Sequence, residues 1–171
     1  MAQANKTKDF LKTAVVTVLG CGYAPLMPGT VGTLPAVAAY LAIALFAPPS
    51  ARIWLMAAAL LVSSGLTIWL GFWAERRWGK DPQRVVLDEF AGFFTTIILF
   101  HPPSVSLAAT VVWAFLLTRL FDMTKPPPCR WLEKLPGGWG ILLDDVWASL
   151  YAAAALNLLL IFCPRFFAWG V

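Results

Sequence analysis

Charge is what this sequence has least of. Lysine, arginine, aspartate and glutamate together make up 13% of its 171 residues, about half their share in a soluble domain. The formal net charge of +4 is spread between segments, and no basic block is long enough to suggest a nucleic acid partner. Histidine occurs once, as His101. The three cysteines, Cys21, Cys129 and Cys163, have neither metal-ligand spacing nor a paired motif, so we expect packing residues in reduced surroundings and no disulfide framework. The apolar stretch before Cys21 is too short for a secretory h-region, and cleavage at Val18-Leu19-Gly20-Cys21 is not expected. Neither a P-loop nor a dinucleotide fingerprint is present.

Apolar residues fill the space that charge leaves. They make up 60% of the chain, and mean hydropathy is +0.73. Five apolar segments lie near 31–47, 53–74, 85–100, 105–121 and 141–163, close to the length of about 20 residues, down to about 17, that spans a bilayer. The segment 85–100 is marginal and is expected to start within the interface. Short breakers, Ala47-Pro48-Pro49-Ser50 and His101-Pro102-Pro103-Ser104, join antiparallel neighbours. The fold class is therefore all-α: one polytopic transmembrane bundle over 1–171, of about five spans. Residues 1–30 form an N-terminal arm and a Gly/Pro loop, a re-entrant or interfacial segment.

Orientation follows from the positive charges. With the N-terminus inside, eleven of the thirteen lysines and arginines fall on the cytoplasmic side, and only Arg52 and Arg165 fall outside. All nine acidic residues fall on that same side. Acidic residues contribute little to topology, so a site on the inner face is the better cause.

Three places then converge at one depth. Asp88 and Glu89 enter the third span, Arg119 and Asp122 leave the fourth, and Asp144 and Asp145 enter the fifth. Arg119 and Asp122 are i, i+3 neighbours on one helix face, and Pro126 makes continuation beyond Lys125 unfavourable. Five carboxylates this close resist ionisation unless a cation joins them. A hard divalent ion with oxygen ligands, Mg²⁺ above all, resolves the conflict. Arg119 and Lys125, with Arg130 behind them, can hold a phosphate. First-turn acids are also stabilised by the helix dipole, so Asp88, Glu89, Asp144 and Asp145 have a capping reading beside the functional one; Asp122, at a helix C-terminus, does not. Gly92 and Ser149 clear bulk around the carboxylates. The loop from Gly20 to Thr33, with Thr30, Gly32 and Thr33 at the start of the first span, offers backbone N–H groups to an anion, and Thr30 or Thr33 can cap that span. Gly137-Gly138-Trp139-Gly140 can bind an anion in the same way. Either loop can also be a simple turn.

Further absences narrow the chemistry. No cysteine has an arginine six positions later, there is no Asp-x-Asp pair, and His101 falls on the far side, so nucleophilic phosphatase mechanisms based on those groups are excluded. Gly140-x-x-x-Asp144 matches part of a CDP-alcohol phosphotransferase signature, but Ala148 replaces its next aspartate. Metal-assisted attack by water remains, with carboxylates as ligands and base. The rival class is a non-catalytic cation carrier that uses the acidic cluster as its path.

Four blocks in this order, Pro28-Gly29-Thr30-x-Gly32-Thr33, Asp88-Glu89-Phe90-x-Gly92, Arg119-x-x-Asp122-x-x-Lys125-Pro126-x-Pro128 and Gly137-Gly138-x-Gly140-x-x-x-Asp144-Asp145, resemble the phosphatidylglycerophosphatase A family. The resemblance implies a Mg²⁺-dependent, multi-pass enzyme of the bacterial inner membrane. Its substrate would be phosphatidylglycerophosphate, hydrolysed at the cytoplasmic side to phosphatidylglycerol and phosphate. It implies Asp88, Glu89, Asp122, Asp144 and Asp145 as catalytic and metal residues, and Arg119 and Lys125 as phosphate holders. A phosphatase acting on another lipid phosphate remains an alternative.

Overall fold

The computed structural model describes residues 2–100 and 105–168, with side chains from residue 6 onward; the His101 to Ser104 breaker lies outside them. Seven α-helices occur among the described residues: α1 (Ala2–Val16), α2 (Pro28–Phe46), α3 (Pro49–Trp78), α4 (Asp88–Leu99), α5 (Leu107–Thr124), α6 (Cys129–Leu132) and α7 (Gly138–Phe162). Four of them, α2, α3, α5 and α7, are long and apolar enough to cross a membrane.

Proline and glycine place the boundaries. Pro28 and Pro49 occupy the first turns of α2 and α3, where a missing N–H costs nothing. As a result α2 begins three residues before the apolar run that announces it. Ser106 caps α5 by accepting a hydrogen bond from the Ala109 backbone N–H at 3.4 Å. At the other end Lys125 turns left-handed at φ +44°, and Pro126 prevents another helical turn. Gly79, at φ +96°, ends α3 one turn beyond its apolar portion. The Pro126 stop is the one the sequence announces.

The marginal segment becomes the centre of the bundle. Only twelve residues of it are helical, and nine of those are buried. α4 packs against α2, α3, α5 and α7, with Phe93, Phe94 and Ile97 in the main core beside Ala36, Met56 and Leu156. A helix largely covered by neighbours need not match the bilayer thickness, because protein and not lipid surrounds most of it. Its first residues lie with the charged ends of α5 and α7, and Phe100 at its far end packs on Phe167 at a ring separation of 5.5 Å. The chain thus starts at the charged end, where the Val86 N–H bonds the Val16 carbonyl at 2.9 Å, and finishes at the opposite end, where the Ser106 N–H bonds the Phe167 carbonyl.

α1 rests on the end of α3, with Arg77 Nη1 3.3 Å from Asp9 Oδ2 and Lys12 over the Trp73 ring. Phe10 and Leu11 stay exposed, as suits a helix lying along an interface. The cysteines are all free.

The Gly137 to Gly140 loop has a structural use. A Cβ on Gly138 would meet the Thr67 carbonyl oxygen and come within 2.5 Å of Ile68 Cα, while Gly71 faces Gly138 across the same contact. α3 and α7 therefore touch backbone to backbone, as small residues permit in membrane helices. Gly138→Ala is expected to destabilise the fold by about 1–3 kcal/mol, the usual cost of overpacking. Thermal unfolding in detergent measures it, and an unchanged transition would refute the contact.

Candidate active site at one end of the bundle

Carboxylates of three helices, most of them buried, surround an open cavity of about 470 Å³. α4 contributes Asp88 and Glu89, α5 contributes Arg119 and Asp122, and α7 contributes Asp144 and Asp145. Lys125 closes one side. The convergence that the sequence implies is therefore a feature of the structure.

The dipole explanation fails for α7. That helix begins at Gly138, so Asp144 and Asp145 sit in its second turn, beyond the reach of the N-terminal partial charge. Both are nonetheless buried, at 3% and 6% exposure. Asp88 and Glu89 do start α4, but they point inward and are buried as well.

Two cations divide the carboxylates between them. Arg119 Nη1 forms a close ion pair with Glu89 Oε2 and a second with Asp122 Oδ2 at 3.1 Å. Thr33 Oγ1 steadies the same glutamate from 3.3 Å while donating to the Gly29 carbonyl at 2.8 Å. Lys125 Nζ binds Asp144 Oδ2 at 2.7 Å and Glu133 Oε2 at 3.0 Å, with Asp81 Oδ2 at 3.8 Å. Burial opposes the charge on Lys125, but the hydrogen bond and proximity to Asp144 outweigh it and hold the ammonium above the usual lysine range. Burial also pushes Asp81 up, countered only in part by Lys125. Asp88 and Asp145 form no ion pair among the described residues. Asp144 Oδ1 and Arg119 Nε are buried without a partner. The site thus has negative charge left over.

That surplus suits a hard cation. Among the described residues no three Asp, Glu, His or Cys side chains stand in ready ligand geometry. The donors themselves fit, however: Asp88, Asp145 and the free Asp144 oxygen are all carboxylate oxygens, and Mg²⁺ usually takes one or two of these with waters and substrate oxygens.

The capping expected of the first glycine loop is not seen. Neither Thr30 nor Thr33 caps α2, whose preceding residue is Met27 with no side-chain cap. Thr33 serves Glu89, and Thr30 Oγ1 is buried without a partner. A Cβ on Gly32 would run into Val86, so that glycine makes room for close packing of α2 on the segment before α4. The Gly137 N–H does take an anion, but it is the Glu75 carboxylate at 2.9 Å. Gly92 lets α7 approach, since its Cβ would lie 2.9 Å from Ser149 Oγ. Ser149 itself binds the Asp145 backbone carbonyl. Arg130 does not line the acidic cavity; it faces the cavities beyond Lys125.

Two residues of the site were not anticipated. Gly29 lies where a Cβ would strike Glu89 Oε1 and come within 2.8 Å of Arg119 Nη2. Its signal was its place in Pro28-Gly29-Thr30, indistinguishable there from a turn glycine. Asp81 reaches the cavity from the loop after Gly79, where its own φ is +43°. Only its side of the membrane could be read in advance.

Comparisons with known proteins show the family. The sequence profile described as Phosphatidylglycerophosphatase A matches residues 14–160. A Bacteroides thetaiotaomicron protein provisionally named a phosphatidylinositol-3-phosphatase is 35% identical over 147 residues, 86% of this chain and 92% of its own. Phosphatidylglycerophosphatase A of Escherichia coli is 29% identical over 80% of this chain and 76% of its own. The Haemophilus influenzae protein of that name is 47% identical over 42% of this chain and 43% of its own. No solved structure matches the chain.

Proposed function

Because the chain belongs to the phosphatidylglycerophosphatase A family, and is thereby a phosphoric monoester hydrolase of the membrane, we propose that it converts phosphatidylglycerophosphate to phosphatidylglycerol and phosphate. The observation that carries this reading is the surplus of carboxylates around two cations at one end of the apolar helices. Such a site meets a lipid headgroup while the acyl tails stay beside the spans. We place it at the cytoplasmic face of a bacterial inner membrane, where eleven of the thirteen basic residues fall by topology.

Mg²⁺ is the proposed cofactor, held by Asp88, Asp145 and the free oxygen of Asp144, and when bound it supplies Lewis-acid polarisation of the phosphate oxygens. Arg119 and Lys125 orient the phosphomonoester and offset the charge that develops on its equatorial oxygens. Asp122, at the cavity side of Arg119, takes a proton from the attacking water. The water oxygen bonds to phosphorus as the bond to the glycerol oxygen breaks, and that oxygen takes a proton from solvent at the open mouth. Glu89 and Thr33 hold the Arg119 fork in place.

A phosphoinositide 3-phosphate is the second substrate reading, supported by the Bacteroides relative that covers most of both chains. The carrier reading gains nothing from the structure: among the described residues the buried carboxylates gather at one end of the bundle, leaving no acidic path toward the other.

The test is phosphate release by the purified chain in mixed micelles of phosphatidylglycerophosphate, phosphatidylinositol 3-phosphate or phosphatidic acid. Release from the first is expected, falling at least about 100-fold on chelation and returning with Mg²⁺. Release that ignores chelation would remove the metal from the proposal. No release from any lipid by folded protein would return the carrier to the lead.

A further inference from the structure

Lys125 stands where three cavities meet. Beyond the acidic one lies a cavity of about 510 Å³ that Met123 and Lys125 also line, with Lys80, Arg130, Glu133 and Lys134 around it. Lys125 and Arg130 also border one of about 430 Å³, walled by Pro126, Pro127 and Pro128 with Trp131. In order, the surroundings are acidic, basic and apolar.

Not every cation of the middle cavity is free. Lys80 is committed to Glu75 at 2.7 Å, and Glu133 is taken by Lys125. Arg130 and Lys134 form no ion pair among the described residues. The apolar cavity is tied to the outer surface of the bundle. Tyr151 of α7 donates its hydroxyl to the Pro127 carbonyl at 2.7 Å and stacks on Phe121 of α5. Trp131 is 65% exposed beside it, in the manner of an interface anchor.

We infer that these cavities form a track for a lipid with two phosphates in succession, in which Arg130 and Lys134 bind the inner phosphodiester while Arg119 and Lys125 hold the reacting phosphomonoester. The proline and tryptophan cavity receives the first methylenes of the acyl chains. This rests on the lipid phosphatase reading and adds to it the residues that meet the inner phosphate. Lipids whose phosphomonoester sits on a phosphodiester-linked headgroup are favoured, whether glycerol or inositol bears it. Phosphatidic acid, whose single phosphate is the reacting group, leaves the middle cavity empty. Among the described residues Arg84 is another cation without an ion pair, and a poorer candidate: it lies over the Tyr23 and Trp78 rings, at 5.4 and 5.9 Å, in a loop-lined cavity without the proline wall.

The test compares the double substitution Arg130→Gln/Lys134→Gln, Arg130→Lys and Arg84→Gln with the unmodified protein. Phosphatidylglycerophosphate and phosphatidic acid are assayed on the same preparation, so the ratio of their kcat/KM values is independent of the amount of folded enzyme. The double variant is expected to lose about tenfold in that ratio, through a higher KM for the two-phosphate lipid, as removal of charge-assisted hydrogen bonds implies. Arg130→Lys keeps most of it. An unchanged ratio in the double variant, or a comparable fall in Arg84→Gln alone, would overturn the track. Failure of the unmodified protein to hydrolyse any lipid would instead sink the phosphatase reading, and this one with it.

Discussion

Arg119→Gln is expected to reduce turnover by about 100- to 1,000-fold, the usual cost of removing one preorganised electrostatic stabiliser. The same change is expected to destabilise the protein by about 3–5 kcal/mol, because it leaves Glu89 buried without its cation. Both partners are nearly enclosed, with side-chain exposures of 11% and 7%, so solvent cannot replace the lost partner. The two effects can be separated. In the double substitution Arg119→Gln/Glu89→Gln two neutral amides face each other, and much of the lost stability is expected to return. Activity is not, since phosphate still lacks its guanidinium. Thermal unfolding and phosphate release on the same three proteins measure this. If the double variant regained turnover together with stability, Arg119 would be a structural partner of Glu89 and no more.

Gly29→Ala makes the opposite demand, a loss of activity with little loss of fold. A Cβ at that position strikes Glu89 Oε1 and crowds Arg119 Nη2, the two groups of the proposed phosphate clamp. These are side-chain ends, so the backbone need not move. The clamp must, however, and a displacement of about 1 Å in such a group costs about 100-fold in rate. We expect a fall of that size in kcat with an unfolding transition close to that of the unmodified protein. Retained turnover would place Gly29 with Gly32, as a glycine that serves packing. The corresponding change at Gly138 is expected to act on stability instead, because there the obstruction is the backbone of α3.

These glycines illustrate what a sequence can and cannot rank. Gly29, Gly32, Gly92 and Gly138 all lie in the four blocks that identify the family, and by residue type they are equivalent. The structure gives each a different neighbour: a buried ion pair, a valine, a serine on a facing helix, and a helix backbone. Asp81 makes the same point for charge. Its side of the membrane was readable, but its arrival at Lys125 depends on a left-handed turn after Gly79.

The sequence by itself determined that the chain is a membrane bundle, that its acids lie together, and that Arg119, Asp122 and Lys125 close one span before a proline stop. Those properties are local or additive. Hydropathy sums over a segment, i, i+3 spacing fixes a helix face, and proline lacks a donor wherever it stands. Only the tertiary structure decided that Arg119 answers Glu89, thirty positions away, and that Lys125 answers Asp144 rather than Asp122. It also decided that a twelve-residue helix could serve at the centre. Such pairings depend on how far each helix is rotated and how deep it sits against its neighbours. Packing sets both quantities, and the periodicity of any one helix leaves them free.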